Sequence, residues 1–423
     1  MSNNQSFTFV ILGAGDRGRG FAKWIKNNPD AGRVVAVAEP LAERRQIIAE
    51  MHGIKPELQF ECWEDLIARP KLADVMINTT MDRLHAPSAI PALNKGYHIL
   101  LEKPMATTLE DCIAIDRARC ENQRIVSVCH SLRYHVVYAE IKRLLDSGAI
   151  GQLVSFDQLE AVEHIHQSHS FVRGNWGNES RSTFMLLSKS CHDVDILAYL
   201  VGKPCQRVSS FGELSYFKKE NAPVGAPARC VDGCPAEPKC PYSTYKVYMG
   251  SQPHWGARNA GTYGKSFDEQ IAILKAGPYG RCVFQCDNDV VDHQVTSFEF
   301  EGGVTGTFSM IAFTPFGGRR LRLHGTHGYI ETEVDKNEID LYHFIDRKHN
   351  HIQIPEQAGG HGGGDNNVLR NLLDALRTNN PEVVLTTTAE SLASYRIIFA
   401  AEKARREKRV VELSEMNDSA ISG

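Results

Sequence analysis

The stretch FTFVILGAGDRGRGFAKWIKNNPDAGRVVAVAE, residues 7–39, decides the fold. Phe7 to Leu12 is an apolar, β-branched run, and Gly13-Ala14-Gly15-Asp16-Arg17-Gly18 follows at once. Phe21 to Ile25 reads as the start of a helix, and Arg33 to Ala38 is a second buried-strand pattern that ends on Glu39. Strand, glycine loop, helix, strand and acid in this order make a dinucleotide-binding fingerprint. Gly13 allows the tight turn, Gly15 lets the backbone approach a pyrophosphate, and Gly18 lets helix and strand pack closely. Asp16 and Arg17 lie in the same loop, where the helix N-terminus offers free N–H groups and partial positive charge to phosphates. Glu39 stands 24 positions after Gly15. An acid there accepts hydrogen bonds from a ribose 2′-OH and repels a 2′-phosphate, so the sequence predicts NAD rather than NADP.

Strands and helices go on alternating beyond this stretch. Ala73 to Thr79, Tyr97 to Leu101 and Ile125 to Cys129 read as strands, and Leu41 to Met51, His85 to Asn94 and Leu109 to Cys120 as helices. This spacing implies a parallel sheet, with ligands beyond the carboxyl ends of its strands. Polar groups stand at three of those ends: Asn78-Thr79-Thr80, Glu102-Lys103, and His130 to Tyr134. The pattern changes after about Gly148. Leu153 to Glu163 reads as a long strand, Arg181 to Val201 as one amphipathic helix, and strand runs follow closely from Val290 to Phe344. Strands without intervening helices predict an antiparallel sheet. Two closing helices are expected over Asn366 to Thr378, with Asp365 as N-cap, and Ala389 to Glu407. The expected division is residues 1–129 and 130–423, with an irregular Cys- and Pro-rich insertion at about 217–289.

Composition narrows the partners. The 47 basic and 51 acidic residues nearly balance and no basic block stands out, which argues against nucleic acid and membrane surfaces. The polar N-terminus shows no signal peptide and there is no long apolar span, so a cytoplasmic location is expected. The 11 cysteines are then expected to be mostly reduced. Cys230, Cys234 and Cys240 are spaced C-x3-C and C-x5-C, which is no standard zinc pattern. Buried free thiols and no metal are the expectation, with a structural zinc as the alternative.

The glycine loop, Glu39, Ala92-Leu93-Asn94-Lys95-Gly96-Tyr97-His98 and Glu102-Lys103-Pro104 together resemble the glucose–fructose oxidoreductase / inositol dehydrogenase / MocA family. So do His192-Asp193-Val194-Asp195 and Gly325-Thr326-His327-Gly328-Tyr329-Ile330. The resemblance spans nearly the whole chain apart from 217–289. It implies an α/β Rossmann domain followed by an α/β domain with a large, open, mostly antiparallel sheet, through which members dimerise or tetramerise. It also implies NAD(P)-dependent chemistry on a hydroxyl of a sugar or cyclitol. In some members tightly held NAD serves to cleave a glycosidic bond through transient oxidation.

Hydride transfer from a secondary alcohol needs a base for the hydroxyl proton and a donor for the developing alkoxide. Lys103, at the ligand-binding end of the sheet, is expected to hold the hydroxyl oxygen and share in proton transfer, as the family's matching lysine does. Glu102 beside it, and Thr79, Thr80 and His85, are expected to line the cofactor. His192 is the second catalytic candidate. Where the family pattern has an aspartate four positions before this histidine, the chain has Ser188, with Lys189 next to it. Lys189 is therefore expected to depress the His192 pKa or to bind an anionic substrate group. Arg133 is expected near the nicotinamide ribose, and His130, Tyr134, Arg173, Trp176 and His361 near a small carbohydrate substrate. His164, His166 and His169 form a dense stretch of which two members would share one face of a strand. The readings are an NAD-dependent oxidoreductase on a sugar, cyclitol or glycoside hydroxyl, a redox-assisted glycoside hydrolase, and a non-enzymatic NAD- or sugar-sensing protein.

Overall fold

The computed structural model describes residues 5–250 and 253–418. The opening run is β1 (Phe7–Leu12), whose Phe9, Val10, Ile11 and Leu12 are fully buried. Burial on both faces marks a central strand of a covered parallel sheet. The chain continues through α1 (Asp16–Asn27), β2 (Gly32–Ala38), α2 (Ala42–His52), β3 (Gln59–Phe60), α3 (Trp63–Ala68), β4 (Val75–Asn78), α4 (His85–Asn94), β5 (His98–Leu101), α5 (Leu109–Glu121) and β6 (Val126–Val128). The six strands are parallel in the order β3-β2-β1-β4-β5-β6. The order reverses between β1 and β4, which opens the crevice where such sheets bind ligands.

The second half runs α6 (Val136–Asp146), β7 (Leu153–Ala161), α7 (His164–Ser168), α8 (Met185–Ser188), α9 (Cys191–Val201) and β8 (Cys205–Glu213). The insertion holds α10 (Thr244–Tyr248), α11 (Gly256–Ala260) and α12 (Phe267–Ala276). It is followed by β9 (His293–Phe300), β10 (Thr305–Ile311), β11 (Gly318–Gly325), β12 (Gly328–Glu333), β13 (Glu338–His343), β14 (His349–Gln353), α13 (Gly364–Thr378), α14 (Thr388–Glu407) and β15 (Val411–Glu412). Nine strands form one open sheet, β14-β13-β12-β11-β7-β10-β9-β8-β15. Its pairs are antiparallel except β7 with β10.

Four sequence expectations change. The single helix over 181–201 is two, α8 and α9, broken at Lys189-Ser190. There Ser190 Oγ donates to Glu160 (2.7 Å) and Lys189 Nζ lies 3.3 Å from the same carboxylate. The histidine stretch is helical, because the Glu163 carboxylate accepts from the N–H groups of Ile165 and His166 and starts α7. Its histidines therefore share no strand face. Asp365 is not the cap of α13: Gly363 is, and the Asp365 side chain bonds elsewhere. Finally, α13 packs on the first sheet, since Val368, Leu369, Leu372 and Leu373 share a core with Phe7, Phe9, Ile11 and Val37. The Rossmann layer thus includes a helix from the far end of the sequence. Among the described residues no helix is long and apolar enough to cross a membrane.

Candidate active site

The three loop glycines each meet a distinct steric demand. Gly13 has φ +84°, and a Cβ there would meet Thr79 O at 2.4 Å. A Cβ on Gly18 would meet Gly13 O at 2.0 Å. At Gly15 a Cβ would meet nothing within 4 Å, because the backbone there opens onto a cavity of about 430 Å³. Open backbone at the N-terminus of the 12-residue α1 suits the diphosphate of a dinucleotide. Glu39, 6% exposed, accepts from Ala14 N (2.7 Å) and Leu41 N (3.0 Å). Each of its oxygens retains a lone pair for a ribose hydroxyl. Thr79 Oγ1 donates to Gly13 O (2.7 Å) and so braces the loop, and both Thr79 and Thr80 line the cavity.

Lys103 and His192 line the same cavity. Lys103 Nζ donates to Ser188 O (2.7 Å), so the residue before the α8–α9 break aims the ammonium through its peptide carbonyl, not its hydroxyl. His192 is held well below the usual imidazole range, first by burial, then by Lys103, His361 and His130. Its Nδ1 is buried without a hydrogen-bond partner, which leaves Nε2 as the nitrogen offered to the cavity. A neutral imidazole beside an ammonium makes a base next to a proton-rich donor. Arg17 Nε donates to Glu102 (2.5 Å) and its Nη1 to Asp365 (2.5 Å); Asp365 in turn accepts from Ser131 Oγ (2.6 Å) and lies 2.9 Å from His361 Nδ1. Arg17 and Glu102 therefore line the cavity with their charges matched to one another. The His361 ring stands 5.2 Å from that of His192.

Lys189 lines the cavity but is not the cation that depresses His192; Lys103 is. Lys189 belongs instead to a buried cluster in which Arg319 donates to Glu160 (2.8 Å) and to both oxygens of Asp193 (2.7 and 3.0 Å). Lys189 and Arg319 pull Glu160 well below the carboxylate range, while burial beside Glu160 pushes Asp193 up, to about 7.

Five expected site residues turn away from the cavity. Arg133 is 3% exposed and grips Asp195 with two bonds of 2.8 Å, a pairing that a buried carboxylate requires. Tyr134 donates to Asn371 (2.8 Å) at the foot of α13 packing. His130, fully buried, lies behind His192 with ring centres 6.0 Å apart. His85 is buried with its ring nitrogens 2.6 Å from Pro104 O and 3.1 Å from Thr80 O, bracing two cavity loops. Arg173, 1% exposed, donates to Tyr242 O and Arg281 O (2.8 Å each) and anchors the insertion. Trp176 does line the cavity, with Nε1 donating to Asp82 (3.0 Å). Asp82, Arg44, Arg258 and Tyr279 line it without having been anticipated. Asp82 follows Thr80 in one polar loop and was within reach of sequence reasoning; Arg258 and Tyr279 arrive from the insertion, which carries no periodic signal. Cys230, Cys234, Cys240 and Cys282 line a separate small pocket with Arg173, and among the described residues no three His, Cys, Asp or Glu converge as a metal site.

Residues 7–130 match the model of an oxidoreductase family with an NAD-binding Rossmann fold, and residues 142–413 match that family's C-terminal α/β domain. The YteT protein of Bacillus subtilis (strain 168), named as an oxidoreductase, is 25% identical over 331 residues, 75% of this chain and 76% of that one. An inositol 2-dehydrogenase of Salmonella typhimurium (strain LT2) is 28% identical over 202 residues, 48% of this chain and 56% of the relative. Among solved structures, a levoglucosan dehydrogenase in complex with NADH and L-sorbose superposes with a TM-score of 0.71 at 19% identity, covering 97% of this chain and 99% of that one. With both family models matched in order across nearly its whole length, the chain belongs to the glucose–fructose oxidoreductase / inositol dehydrogenase / MocA family of oxidoreductases, and its first domain is an NAD-binding Rossmann domain.

Proposed function

We propose that the protein is an NAD-dependent oxidoreductase that acts on a secondary hydroxyl of a sugar, cyclitol or glycoside. The observation that carries this reading is the pairing of Lys103 with a deprotonated His192 on one wall of the dinucleotide cavity. NAD, when bound, supplies the hydride acceptor. The chain's own residues handle the proton: Lys103 Nζ donates to the hydroxyl oxygen, His192 Nε2 takes the hydroxyl proton, and the ammonium stabilises the oxygen as negative charge builds on it. His361 and Trp176 close the same space from two further sides. Lys189, its charge paired with Glu160, lines the same space as a polar contact for the substrate. The names of the inositol and levoglucosan dehydrogenases among its relatives agree with polyhydroxylated substrates.

The test is a screen of sugars, cyclitols and aryl glycosides against the purified protein with excess NAD, read as NADH absorbance. Net NADH is expected, with Lys103→Met and His192→Asn each lowering kcat at least about 100-fold, the low end for loss of general acid–base catalysis, while nucleotide binding persists. Aglycone release without net NADH would replace this reading with redox-assisted glycoside cleavage. Full turnover in both variants would leave it without a mechanism.

A further inference from the structure

The wall of the dinucleotide cavity that faces the glycine loop is built by the insertion. Arg258, Asn259 and Tyr279 come from it and line the same cavity as Gly15 and Asp16. This wall is anchored. The Tyr279 ring stacks on His169 at 4.5 Å and 7°. Gly256, which opens α11, lies so close to His169 that a Cβ would meet its Nδ1 at 2.8 Å. The Tyr248 hydroxyl is 3.1 Å from the same nitrogen. Arg258 itself lies over the Tyr263 ring at 4.8 Å.

Two of the arginines that line the cavity are matched within the chain. Arg17 is satisfied by Glu102 and Asp365, and Arg19 by Asp16 at 2.5 Å. Among the described residues the arginines of this cavity without a carboxylate within 4 Å are Arg44, from α2, and Arg258, from the insertion, both exposed at its mouth to solvent. Arg44 sits in the first turn of α2, where a cation opposes the helix dipole and gains from an anion close by. Two unmatched guanidinium groups bordering the open backbone of Gly15 form a complement to a diphosphate, which they can grip through paired N–H donors.

We propose that the insertion completes the dinucleotide site, with Arg258 binding the cofactor's diphosphate from the side opposite the helix N-terminus, opposed by Arg44, so that the nucleotide is clamped between the Rossmann domain and the insertion. The proposal rests on the NAD-binding reading. It assigns residues 253–280 a part in holding cofactor, which slows release of the nucleotide.

NADH release is measured by stopped-flow fluorescence from wild type, Arg258→Ala and Arg258→Lys, with ADP-ribose and adenosine as competitors. Arg258→Ala is expected to release NADH about tenfold faster or more, the effect of one charge-assisted hydrogen bond, with Arg258→Lys recovering only the part that a point charge supplies. ADP-ribose should weaken by the same factor and adenosine should not change. An unchanged release rate in Arg258→Ala overturns the proposal. So does equal weakening of adenosine, which would report a collapsed wall, or an effect confined to NADPH, which would assign Arg258 to a 2′-phosphate. Failure of the wild type to bind NADH at all would instead remove the cofactor reading beneath it.

Discussion

Acid should destabilise this protein before it protonates His192, and the size of the effect follows from buried imidazoles. His130, His135 and His169 are 0%, 6% and 2% exposed, and burial pushes each down to about 4. The unfolded chain titrates its histidines near 6.5. Below that pH the unfolded state binds protons that the folded state refuses, so stability falls as pH falls, fully present above about 6.5 and lost toward 4. At pH 5 each of the three costs about 2 kcal/mol, 1.36 kcal/mol for each of about 1.5 pH units. Asp193 works the other way. Pushed up to about 7, it binds a proton in the folded state first and returns about 2 kcal/mol over the same range. The net loss from pH 7 to pH 5 is about 4 kcal/mol, a large share of the 5–15 kcal/mol typical of a folded protein. His98, half-buried and also held at about 4, and His166 and His192, both held well below the usual range, deepen it. The assay is urea unfolding at the two pH values, followed by tryptophan fluorescence, which needs no substrate. His130→Leu, which removes one unpartnered buried imidazole at similar volume, should shrink the pH-dependent loss by about 2 kcal/mol. A urea midpoint that holds or rises between pH 7 and pH 5, or a loss untouched by His130→Leu, would refute the reasoning.

Two further perturbations test the frame around the site. Gly18→Ala places a Cβ 2.0 Å from Gly13 O and 2.8 Å from Thr79 Oγ1, so the loop must shift; NADH affinity by titration should fall at least about tenfold, against about 1–3 kcal/mol lost by overpacking alone. Arg173→Met leaves the carbonyls of Tyr242 and Arg281 without their donor and should cost about 3 kcal/mol, seen as hydrogen-exchange protection lost across residues 230–285 while the strands of the first sheet keep theirs.

The fold was legible because its signals are local. The apolar run of β1, the three glycines and Glu39 all lie within 33 residues; the structure gives the run its buried strand and the glycines the steric situations that the spacing implies, and it seats the Glu39 carboxylate on Ala14 N inside the loop. Lys103, Thr79 and Thr80 were legible for a related reason: strand ends in a parallel sheet converge on one crevice. Arg133, Tyr134 and Arg173 were misplaced because nearness to a strand end says nothing about which way a long side chain turns. Arg133 is drawn inward by Asp195, 62 positions away, and Arg173 by carbonyls 69 and 108 positions away. The break at Lys189-Ser190 was hidden for the same cause, since its partner Glu160 lies on β7. Arg258 was out of reach because only the packing of Gly256 and Tyr279 on His169 brings it to the cavity.

Charge bookkeeping shows how one site serves two demands. Arg17 stands in the first turn of α1, and its guanidinium spans to Asp365, 348 positions on, and to Glu102 beside Lys103. Asp365 holds His361, and His361 and Lys103 are among the groups that, after burial, hold His192 below the usual imidazole range. The N-terminus of α1, Lys103 and His192 are therefore joined by four side chains, Glu102, Arg17, Asp365 and His361, drawn from both ends of the sequence. A dinucleotide that seats against the loop meets an arginine already paired within this chain, whereas Arg44 and Arg258 in the same cavity have no carboxylate partner. The surroundings of His192 are thus set by contacts within the chain itself, running from Arg17 through Asp365 to His361.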